Sequence, residues 1–326
     1  GQYRYPMFDL PRLRRVPALI FGVPQPPPAA EGPGVSDGEE THLDRELDIR
    51  FSGDIFNAVC RGPFLDIALP LFDRRPAARQ PAMVVDTGCG DGTVLAALYD
   101  AIRSRTERGR RIEEHPLLMV GADPSPVARE IAASRLSAAG VPHLVLDGDI
   151  ADPERLRRDL AERGLDAGNA LHICKSAIHD RAYRGPDVYP GSGKAPARES
   201  SPPRSFGAFA LPDGGAVAPA RMARDLAGLF RSWLPLTREH GWLVIEAHTV
   251  APETAADLVG QTLVTSLDAT HGYSCQYLTE PEVFAWAARE GGFSSLRHAE
   301  PANRLGHVLL TIDHFVADTY SIRETR

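Results

Sequence analysis

The chain reads MVVDTGCGDG over residues 83–92, and this stretch decides its fold. Three apolar residues followed by Asp86 form a run that is too short for a helix and is typical of a buried strand. Three glycines then alternate with other residues, at Gly88, Gly90 and Gly92, and a helical pattern follows directly. Glycines lack a Cβ and let the backbone pass close to a ligand. The stretch therefore predicts a strand, a ligand-binding turn and a helix.

Short apolar runs alternate with helical stretches after this turn. Further strands are expected at residues 117–123, 143–149, 170–176, 242–248 and 307–315, and helices at 93–103, 126–138 and about 153–163. Near-continuous apolar strands separated by helices are typical of a parallel sheet covered on both faces. The predicted class is α/β, with a mostly parallel, Rossmann-like sheet.

The N-terminal part of the chain differs from the rest in composition. Residues 1 to about 40 are rich in Pro, Gly and Glu and predict an irregular segment, whereas the apolar spacing over 41–72 is helical. We therefore expect an irregular segment and a helical cap in residues 1–80 and the main domain in residues 81–326. Residues 180–220 are rich in Gly, Pro, Ser and Arg, and predict a lid loop or an insertion that admits the substrate.

The overall composition argues against several classes of protein. A formal net charge of -7 at pH 7 does not suit a nucleic-acid partner, which requires a basic surface. We find no stretch near the ~20 apolar residues that span a bilayer, and no apolar core of a secretory signal. The 4 cysteines are scattered without a CxxC pair, which favours reduced thiols over disulfides or a zinc ribbon. We expect a cytoplasmic protein without a nucleic-acid or membrane partner.

Acidic residues end three successive predicted strands, at Asp86, Asp123 and Asp149. The carboxyl ends of parallel strands meet at one edge of a sheet, where Asp123 could accept hydrogen bonds from both hydroxyls of a ribose. Asp149 would then suit an adenine amino group. A pyrophosphate would be repelled by Asp86 and Asp91, and the Gly-Lys-Ser/Thr of a P-loop is absent. The pattern instead favours a ligand that carries a sulfonium and an ammonium, namely S-adenosylmethionine.

Polar residues also follow the fourth and fifth predicted strands. His179 and His248 are candidate general bases, because a neutral imidazole near pH 7 can accept a proton. Structural hydrogen bonding at a strand end is the alternative for each. We count Lys175 among the donor-binding residues. With Arg181 it could also hold a carboxylate or a phosphate, and a solvated surface role is the alternative for both.

A third candidate feature is the pair formed by His271 and Gln276. An imidazole nitrogen and an amide oxygen are neutral metal ligands, and two of them would leave open positions on a six-coordinate iron or manganese. From the residues alone, a histidine that stabilises a turn is the simpler interpretation.

The glycine turn and the strand-end acids resemble those of the class I S-adenosylmethionine-dependent methyltransferases over about residues 83–315. The resemblance implies a seven-stranded sheet whose final hairpin is reversed. It also implies that residues 86–92 bind the methyl donor, with Asp123 on its ribose and Asp149 on its adenine.

The segments around His179, His248 and His271–Gln276 are more specifically similar to the mononuclear-iron C-methyltransferase domains of polyketide synthase loading modules. In that group a His-x-x-x-x-Gln pair holds iron or manganese, and the α-carbon of a malonyl-type thioester on an acyl carrier protein is methylated. The resemblance implies a metal at His271 and Gln276. Cys275 stands where the group has Asp, which is a departure from the pattern.

The leading hypothesis is therefore a C-methyltransferase of polyketide assembly that stabilises an enolate with a metal. One alternative is a metal-free O- or N-methyltransferase acting on a small metabolite. A second is a cyclase or lyase that consumes S-adenosylmethionine itself. A third is a non-catalytic assembly subunit, against which the intact strand-end acids argue.

Overall fold

The computed structural model describes Phe21 and residues 44–189, 200–211, 215–259, 261, 271–272, 276–301 and 306–318. The irregular segment expected over residues 1 to about 40 lies outside the described residues, apart from Phe21. So do Tyr273 and Cys275 and two parts of the predicted lid, 190–199 and 212–214.

The described elements alternate along the chain much as the sequence predicts. The strands are β1 Met83–Thr87, β2 Leu118–Ala122, β3 His143–Leu146, β4 Ala170–Lys175, β5 Phe209–Ala210, β6 Ala216–Val217, β7 Trp242–Ala247, β8 Phe293–Ala299 and β9 Leu310–Ala317. The α-helices are α1 Arg45–Ile55, α2 Arg61–Ala68, α3 Thr93–Arg105, α4 Glu107–Arg110, α5 Pro126–Ala138, α6 Pro153–Ala161, α7 Pro219–Trp233, α8 Pro252–Leu258 and α9 Pro281–Glu290. Short 3-10 turns occupy Leu69–Phe72, Ala77–Arg79 and Ala167–Asn169.

Seven strands form one sheet in the order β3-β2-β1-β4-β7-β9-β8. The five strands β3, β2, β1, β4 and β7 run parallel to one another, and β9 is antiparallel to both of its neighbours, β7 and β8. This arrangement confirms the expected seven-stranded, mostly parallel sheet with a reversed final hairpin. It also places the ends of β1, β2, β3, β4 and β7 at one edge of the sheet.

The helical cap predicted over residues 41–72 is present as one long helical segment. It begins at the N-cap Asp44, whose side chain accepts a hydrogen bond from Leu47 N, and a π-helical turn at Phe56–Cys60 joins α1 to α2. Its apolar side chains, including the fully buried Phe56 and Phe64, pack in the same core as residues of β1 and α3.

This helical segment, Arg45–Phe72, corrects the expectation that no stretch approaches the apolar character of a membrane span. It has 28 residues, and an 18-residue window within it has a mean hydropathy of 1.3, so that it passes that test by length and composition. Because its aromatic side chains are packed into the core of the sheet, we interpret it as a core helix.

The region predicted as a lid follows β4. Its described parts are irregular apart from a short hairpin, in which the strands β5 and β6 have two residues each. The helix α7 then begins at Pro219. A small apolar cluster fixes the hairpin against the rest of the chain and consists of Phe209, Val217, Met222 and Tyr277.

Candidate active site

The glycine turn after β1 has a backbone that favours glycine. Gly88, Gly90 and Gly92 have φ angles of 79°, 52° and 75°, which lie in the left-handed region. A methyl group added at Gly88 would meet the Cβ of Ala177 at 2.6 Å. The turn is therefore closely packed against the segment that leaves β4, which contains the candidate base His179.

Asp86 is buried at the end of β1. Neither of its carboxylate oxygens has a hydrogen-bond partner among the described residues. Burial, together with the negative charge of Asp123, raises the pKa of Asp86 to about 8. An unpartnered buried carboxylate is unfavourable, at a cost of about 1–3 kcal/mol or more, and a cationic ligand would relieve it.

Asp123 and Asp149 follow β2 and β3 at the same edge of the sheet. Asp123 accepts hydrogen bonds from the amides of Gly90 at 3.0 Å and Ser125 at 2.9 Å, and burial raises its pKa to about 6. Asp149 accepts one from Ala151 N at 2.8 Å, and burial raises its pKa as well. A carboxylate has about four acceptor positions, so both residues retain capacity for ligand hydroxyl or amino groups.

Asp91 differs from these three acids because its carboxylate is engaged within the protein. It accepts a hydrogen bond from Thr93 N at 3.0 Å and forms an ion pair with Arg135 at 2.7 Å. A methyl group added at Gly53 of α1 would meet Asp91 Oδ2 at 3.0 Å. These contacts assign Asp91 to holding the turn, α3, α5 and α1 together.

The clearest catalytic arrangement is a buried pair formed by His179 and Glu246. His179 Nδ1 is hydrogen-bonded to Glu246 Oε1, and the Glu246 carboxylate also accepts from Ile178 N at 3.2 Å and Ala247 N at 2.8 Å. Burial opposes protonation of His179, but the charge and hydrogen bond of Glu246 outweigh it and raise the pKa of His179 above its ordinary value. Since Nδ1 faces Glu246, Nε2 is the nitrogen that can accept a proton from a substrate.

Glu246 was not assigned a role from the sequence. The sequence could have marked it as a candidate, because it is an acidic residue near the end of an apolar strand, where an unpaired buried carboxylate would be unfavourable. The interaction with His179 joins residues that are 67 positions apart, and the sequence does not reveal this pairing.

The structure brings His271 and Gln276 next to this pair. The rings of His179 and His271 lie edge to face, with 5.2 Å between their centroids. Gln276 Nε2 donates to Asp180 Oδ1 at 2.7 Å, and Tyr277 N donates to His179 O at 2.7 Å. Within the described part of the chain, no group of three or more His, Cys, Asp or Glu residues is arranged to hold a metal ion.

His248 lies apart from this cluster in its contacts. Its Nδ1 faces Thr279 O at 3.3 Å and its Nε2 faces Thr311 Oγ1 at 2.9 Å, and the buried ring packs on Phe284. Burial lowers the pKa of His248. Both ring nitrogens therefore have partners in the protein, and the residue connects the end of β7 to β9 and to the segment before α9.

Arg181 corrects a further expectation. Its side chain is fully buried, forms an ion pair with Asp225 at 2.9 Å and donates to Ile178 O at 2.9 Å. It is neither a solvated surface residue nor available to a phosphate. The ion pair instead anchors the chain after β4 to α7.

A seven-stranded sheet of this order, with a glycine turn after β1, Asp86 near the end of β1 and acids after β2 and β3, is typical of the class I S-adenosylmethionine-dependent methyltransferases. The model of the methyltransferase family described as the AprA MT2-like domain matches residues 40–306. The chain therefore belongs to this methyltransferase family. No curated protein matches the chain.

Several solved methyltransferases are similar to this chain. The mitomycin 7-O-methyltransferase MmcR is 16% identical, with a TM-score of 0.46 over 84% of this chain and 57% of its own. The O-methyltransferase NcsB1 of neocarzinostatin biosynthesis is 16% identical, with a TM-score of 0.48 over 95% of this chain and 68% of its own. Human N-acetylserotonin methyltransferase is 16% identical, with a TM-score of 0.45 over 91% of this chain and 61% of its own. The chain thus spans less than two thirds of the length of the first of these structures.

Proposed function

We propose that this S-adenosylmethionine-dependent methyltransferase methylates the α-carbon of a malonyl-type acyl thioester, carried by an acyl carrier protein in polyketide assembly. The observation that carries the proposal is the buried His179–Glu246 pair at the edge of the sheet that holds the glycine turn. The raised pKa of His179 makes it a stronger base than an ordinary histidine, which suits the weakly acidic α-proton of such a thioester. The resemblance of the segments around His179 and His271–Gln276 to polyketide C-methyltransferase domains supports the same acceptor.

The methyl donor would bind along the ends of β1, β2 and β3. The unpartnered carboxylate of Asp86 suits the cationic part of the donor, and Asp123 suits its ribose hydroxyls. Asp149 would face the adenine amino group. Gly88 and Gly90 would let the backbone approach the donor, and Asp91 would support the turn through its ion pair with Arg135.

In the proposed reaction, His179 Nε2 accepts the α-proton of the thioester, and Glu246 stabilises the resulting imidazolium. The enolate carbon attacks the donor methyl group, so that a carbon–carbon bond forms while the sulfur–methyl bond breaks. The sulfonium becomes a neutral thioether, and His179 releases its proton to solvent. The sulfonium methyl is already reactive, so the enzyme needs to activate only the acceptor.

The resemblance further implies iron or manganese at His271 and Gln276, and the donor set fits such an ion. The Gln276 amide nitrogen is held by Asp180, which leaves the amide oxygen as the ligand atom, and the His271 imidazole is a neutral nitrogen ligand. A bound metal would supply stabilisation of negative charge on the acceptor oxygen. His271→Ala and Gln276→Ala are expected to lose co-purifying metal while retaining donor binding. Full metal content in both variants would contradict this assignment.

A second candidate function is metal-free O-methylation of a small metabolite, because the His179–Glu246 pair could equally deprotonate a hydroxyl group. The expected location of the enzyme in the cytoplasm remains a prediction under both functions.

The deciding experiment incubates the enzyme with the donor and with malonyl- or methylmalonyl-carrier protein, and locates the added methyl group by tandem mass spectrometry. We expect methyl transfer to the α-carbon, strong loss in His179→Ala and no loss in His115→Ala, a control that precedes β2 at the opposite edge of the sheet. Methyl transfer only to a hydroxyl acceptor would favour the second candidate. Donor consumption without any acceptor would contradict both.

A further inference from the structure

The two cations that the sequence offers to a phosphate, Lys175 and Arg181, both have partners within the protein. Lys175 is half-buried, and its Nζ donates to the hydroxyl of Ser52 on α1 at 2.6 Å. Arg181 is fully buried and is paired with Asp225. An anionic partner that approaches this edge of the sheet from solvent therefore meets other cations first.

Exposed arginines lie beside this buried ion pair, in the turn after β4 and in the first two turns of α7. We call them the arginine cluster, which consists of Arg184, Arg221 and Arg224. The turn is fixed to α7, because the amides of Arg184 and Gly185 donate to Asp225 Oδ1 at 3.2 and 2.8 Å. Arg221 Nε in turn donates to the hydroxyl of Tyr183 at 3.5 Å. These contacts hold the turn and the start of α7 together as one surface.

The arginine cluster borders the proposed acceptor side. A helix that leads into a parallel strand begins at the carboxyl edge of the sheet, so the start of α7 lies at the same edge as the site. Met222, which follows Arg221, packs in one apolar cluster with Tyr277, and Tyr277 N donates to His179 O at 2.7 Å. An anion bound by the arginine cluster would therefore lie at the rim of the site that contains the proposed base.

The local charge of this surface is opposite to that of the whole chain. The described acids that interact with the cluster are Asp149, 3.8 Å from Arg184 Nη2, and Asp187, whose charge acts on Arg221. Three guanidinium groups thus stand against two carboxylates, whereas the chain as a whole has a net charge of -7. A negative partner is repelled by the net charge and attracted to such a positive region, which directs where it binds.

We propose that the arginine cluster binds the phosphodiester that joins a pantetheine arm to an acyl carrier protein. This inference rests on the proposed function, because the acceptor thioester of that function stands at the end of such an arm. Guanidinium groups donate pairs of N–H bonds to phosphate oxygens, so they suit this group better than an ammonium does. With the phosphodiester held at the rim, the arm extends past Tyr183 toward His179.

Calorimetric titration of the intact chain, saturated with S-adenosylhomocysteine, tests the site with probes that carry no acyl group. The small probes are 4′-phosphopantetheine and pantetheine, which differ only in the phosphate. The large probes are the holo and apo forms of a carrier protein, which differ only in the arm. The variant is R184Q/R221Q/R224Q. The control is R163Q, which removes an exposed arginine at the opposite edge of the sheet whose Nη1 donates to Asp159 O.

The wild type should bind 4′-phosphopantetheine more tightly than pantetheine, and the holo carrier protein more tightly than the apo form. The triple variant should lose about 10-fold in affinity for 4′-phosphopantetheine and for the holo form, since one exposed ion pair is worth about 1.5- to 5-fold. Its affinity for pantetheine should not change, and R163Q should bind every probe as the wild type does.

Several results would overturn the proposal. They are equal binding of the two small probes by the wild type, unchanged affinity for 4′-phosphopantetheine in the triple variant, and an equal loss in R163Q. Discrimination between the small probes without discrimination between holo and apo carrier protein would overturn the assignment to a carrier arm.

Turnover of malonyl-pantetheine, which has no phosphate, separates this inference from the proposed function. Its α-methylation should be the same in the wild type and the triple variant, whereas KM for the malonyl-carrier protein should rise about 10-fold in the variant at unchanged kcat. If neither protein methylates the α-carbon of either acceptor while the binding results hold, the proposed function is wrong and the phosphate site remains.

Discussion

At the scale of single residues, the site combines acids in very different environments. Asp91 is held by Arg135 and the Thr93 amide, whereas Asp86 has no partner among the described residues and a pKa of about 8. A buried carboxylate without such partners, like that of Asp86, is protonated in the free enzyme near neutral pH, and it ionises when a cation binds beside it.

This difference predicts that donor binding depends on pH through Asp86. Below about pH 8 the free enzyme carries a proton on Asp86, and a cationic donor favours its release. We therefore expect donor affinity to rise between pH 6 and pH 7.5, approaching a tenfold gain per pH unit if this proton alone is released. Calorimetric titration at these pH values measures the effect, and D86N should flatten it. A slope that is as steep in D86N as in the wild type would assign the proton to another group.

The His179–Glu246 pair predicts the pH dependence of turnover. A base must be unprotonated to act, so kcat/KM should rise with pH through the raised pKa of His179. Replacing Glu246 by Gln removes the charge that raises this pKa, and burial then dominates. We expect the rising limb of the profile to move to lower pH in E246Q, while H179A loses about 10²–10⁴-fold in kcat/KM. A limb that stays in place in E246Q would show that Glu246 does not control the base.

Part of the site is predictable from the sequence at this scale. Asp86, Asp123 and Asp149 each lie at or just after the end of an apolar strand, and this position alone places them at one edge of the sheet. The difference between Asp91 and the unpartnered Asp86 is not predictable, because the partner of Asp91 is Arg135, 44 residues away. Long-range partners of this kind become known only when the helices are in place.

At the scale of elements, the N-terminal helix is part of the site. A methyl group added at Gly90 would come within 3.8 Å of Ile49, and one added at Gly53 within 3.0 Å of the Asp91 carboxylate and the Thr93 hydroxyl. The helix α1 is thus packed directly on the glycine turn. This close approach is possible because Gly53 has no side chain.

This packing predicts different effects for two glycines of the same helical segment. A methyl group added at Gly62 meets nothing within 4 Å, so Gly62→Ala should stabilise the protein by about 0.5–1 kcal/mol through helix propensity. Gly53→Ala should not show this gain, and should weaken donor binding because Asp91 must shift. Urea unfolding and donor titration of both variants measure the difference. Equal stabilisation and equal donor affinity in the two variants would contradict the close packing.

The elements that the sequence reveals are those whose environment leaves a pattern. The strands β1, β2, β4 and β7 are buried and read as continuous apolar runs. The edge strand β8 reads FSSLRHA and is exposed over most of its length, so that no apolar run marks it, and it was not predicted. The helix α7 was missed because its beginning lies at the end of the irregular Gly- and Pro-rich region.

At the scale of the whole molecule, two apolar clusters cover the two faces of the sheet, and the titratable groups are divided between its two edges. The acids and His179 lie at the carboxyl edge. His172 lies near the start of β4 and His240 just before β7, both toward the opposite edge of the sheet, and burial lowers the pKa of both to about 4. The order of strands that creates this division follows from packing across the whole chain and was available from the sequence only through resemblance to a family.

The two edges respond to acid in opposite directions. Asp86 and Asp123 have raised pKa values of about 8 and about 6, so the folded state binds more protons than the unfolded state as the pH falls, and these acids add stability. His172 and His240 have lowered pKa values, so the unfolded state binds more protons between pH 6.5 and 4, and they remove stability. The pH dependence of the wild-type free energy of unfolding is therefore the sum of these opposite effects. The effect of the histidines must be separated from that of the acids by substitution.

The substitution His240→Gln separates the effect of His240 on the pH dependence of stability from that of the acids. His240 Nε2 faces Asn169 Oδ1 at 3.1 Å, and a glutamine amide can replace this hydrogen bond without titrating. Burial is the main reason for the lowered pKa of His240, and Arg74, His314 and His172 are the charged or titratable neighbours that reinforce it. As the pH falls from 6.5 toward 4, protonation of His240 in the unfolded state lowers the free energy of unfolding of the wild type. The glutamine variant has no such group and does not lose this stability. The free energy of unfolding of H240Q should therefore increase relative to that of the wild type by about 2.5 kcal/mol between pH 7 and pH 4.5. Urea unfolding at both pH values measures this change, and a difference between the two proteins that is the same at pH 7 and pH 4.5 would show that His240 is not the acid-sensitive group.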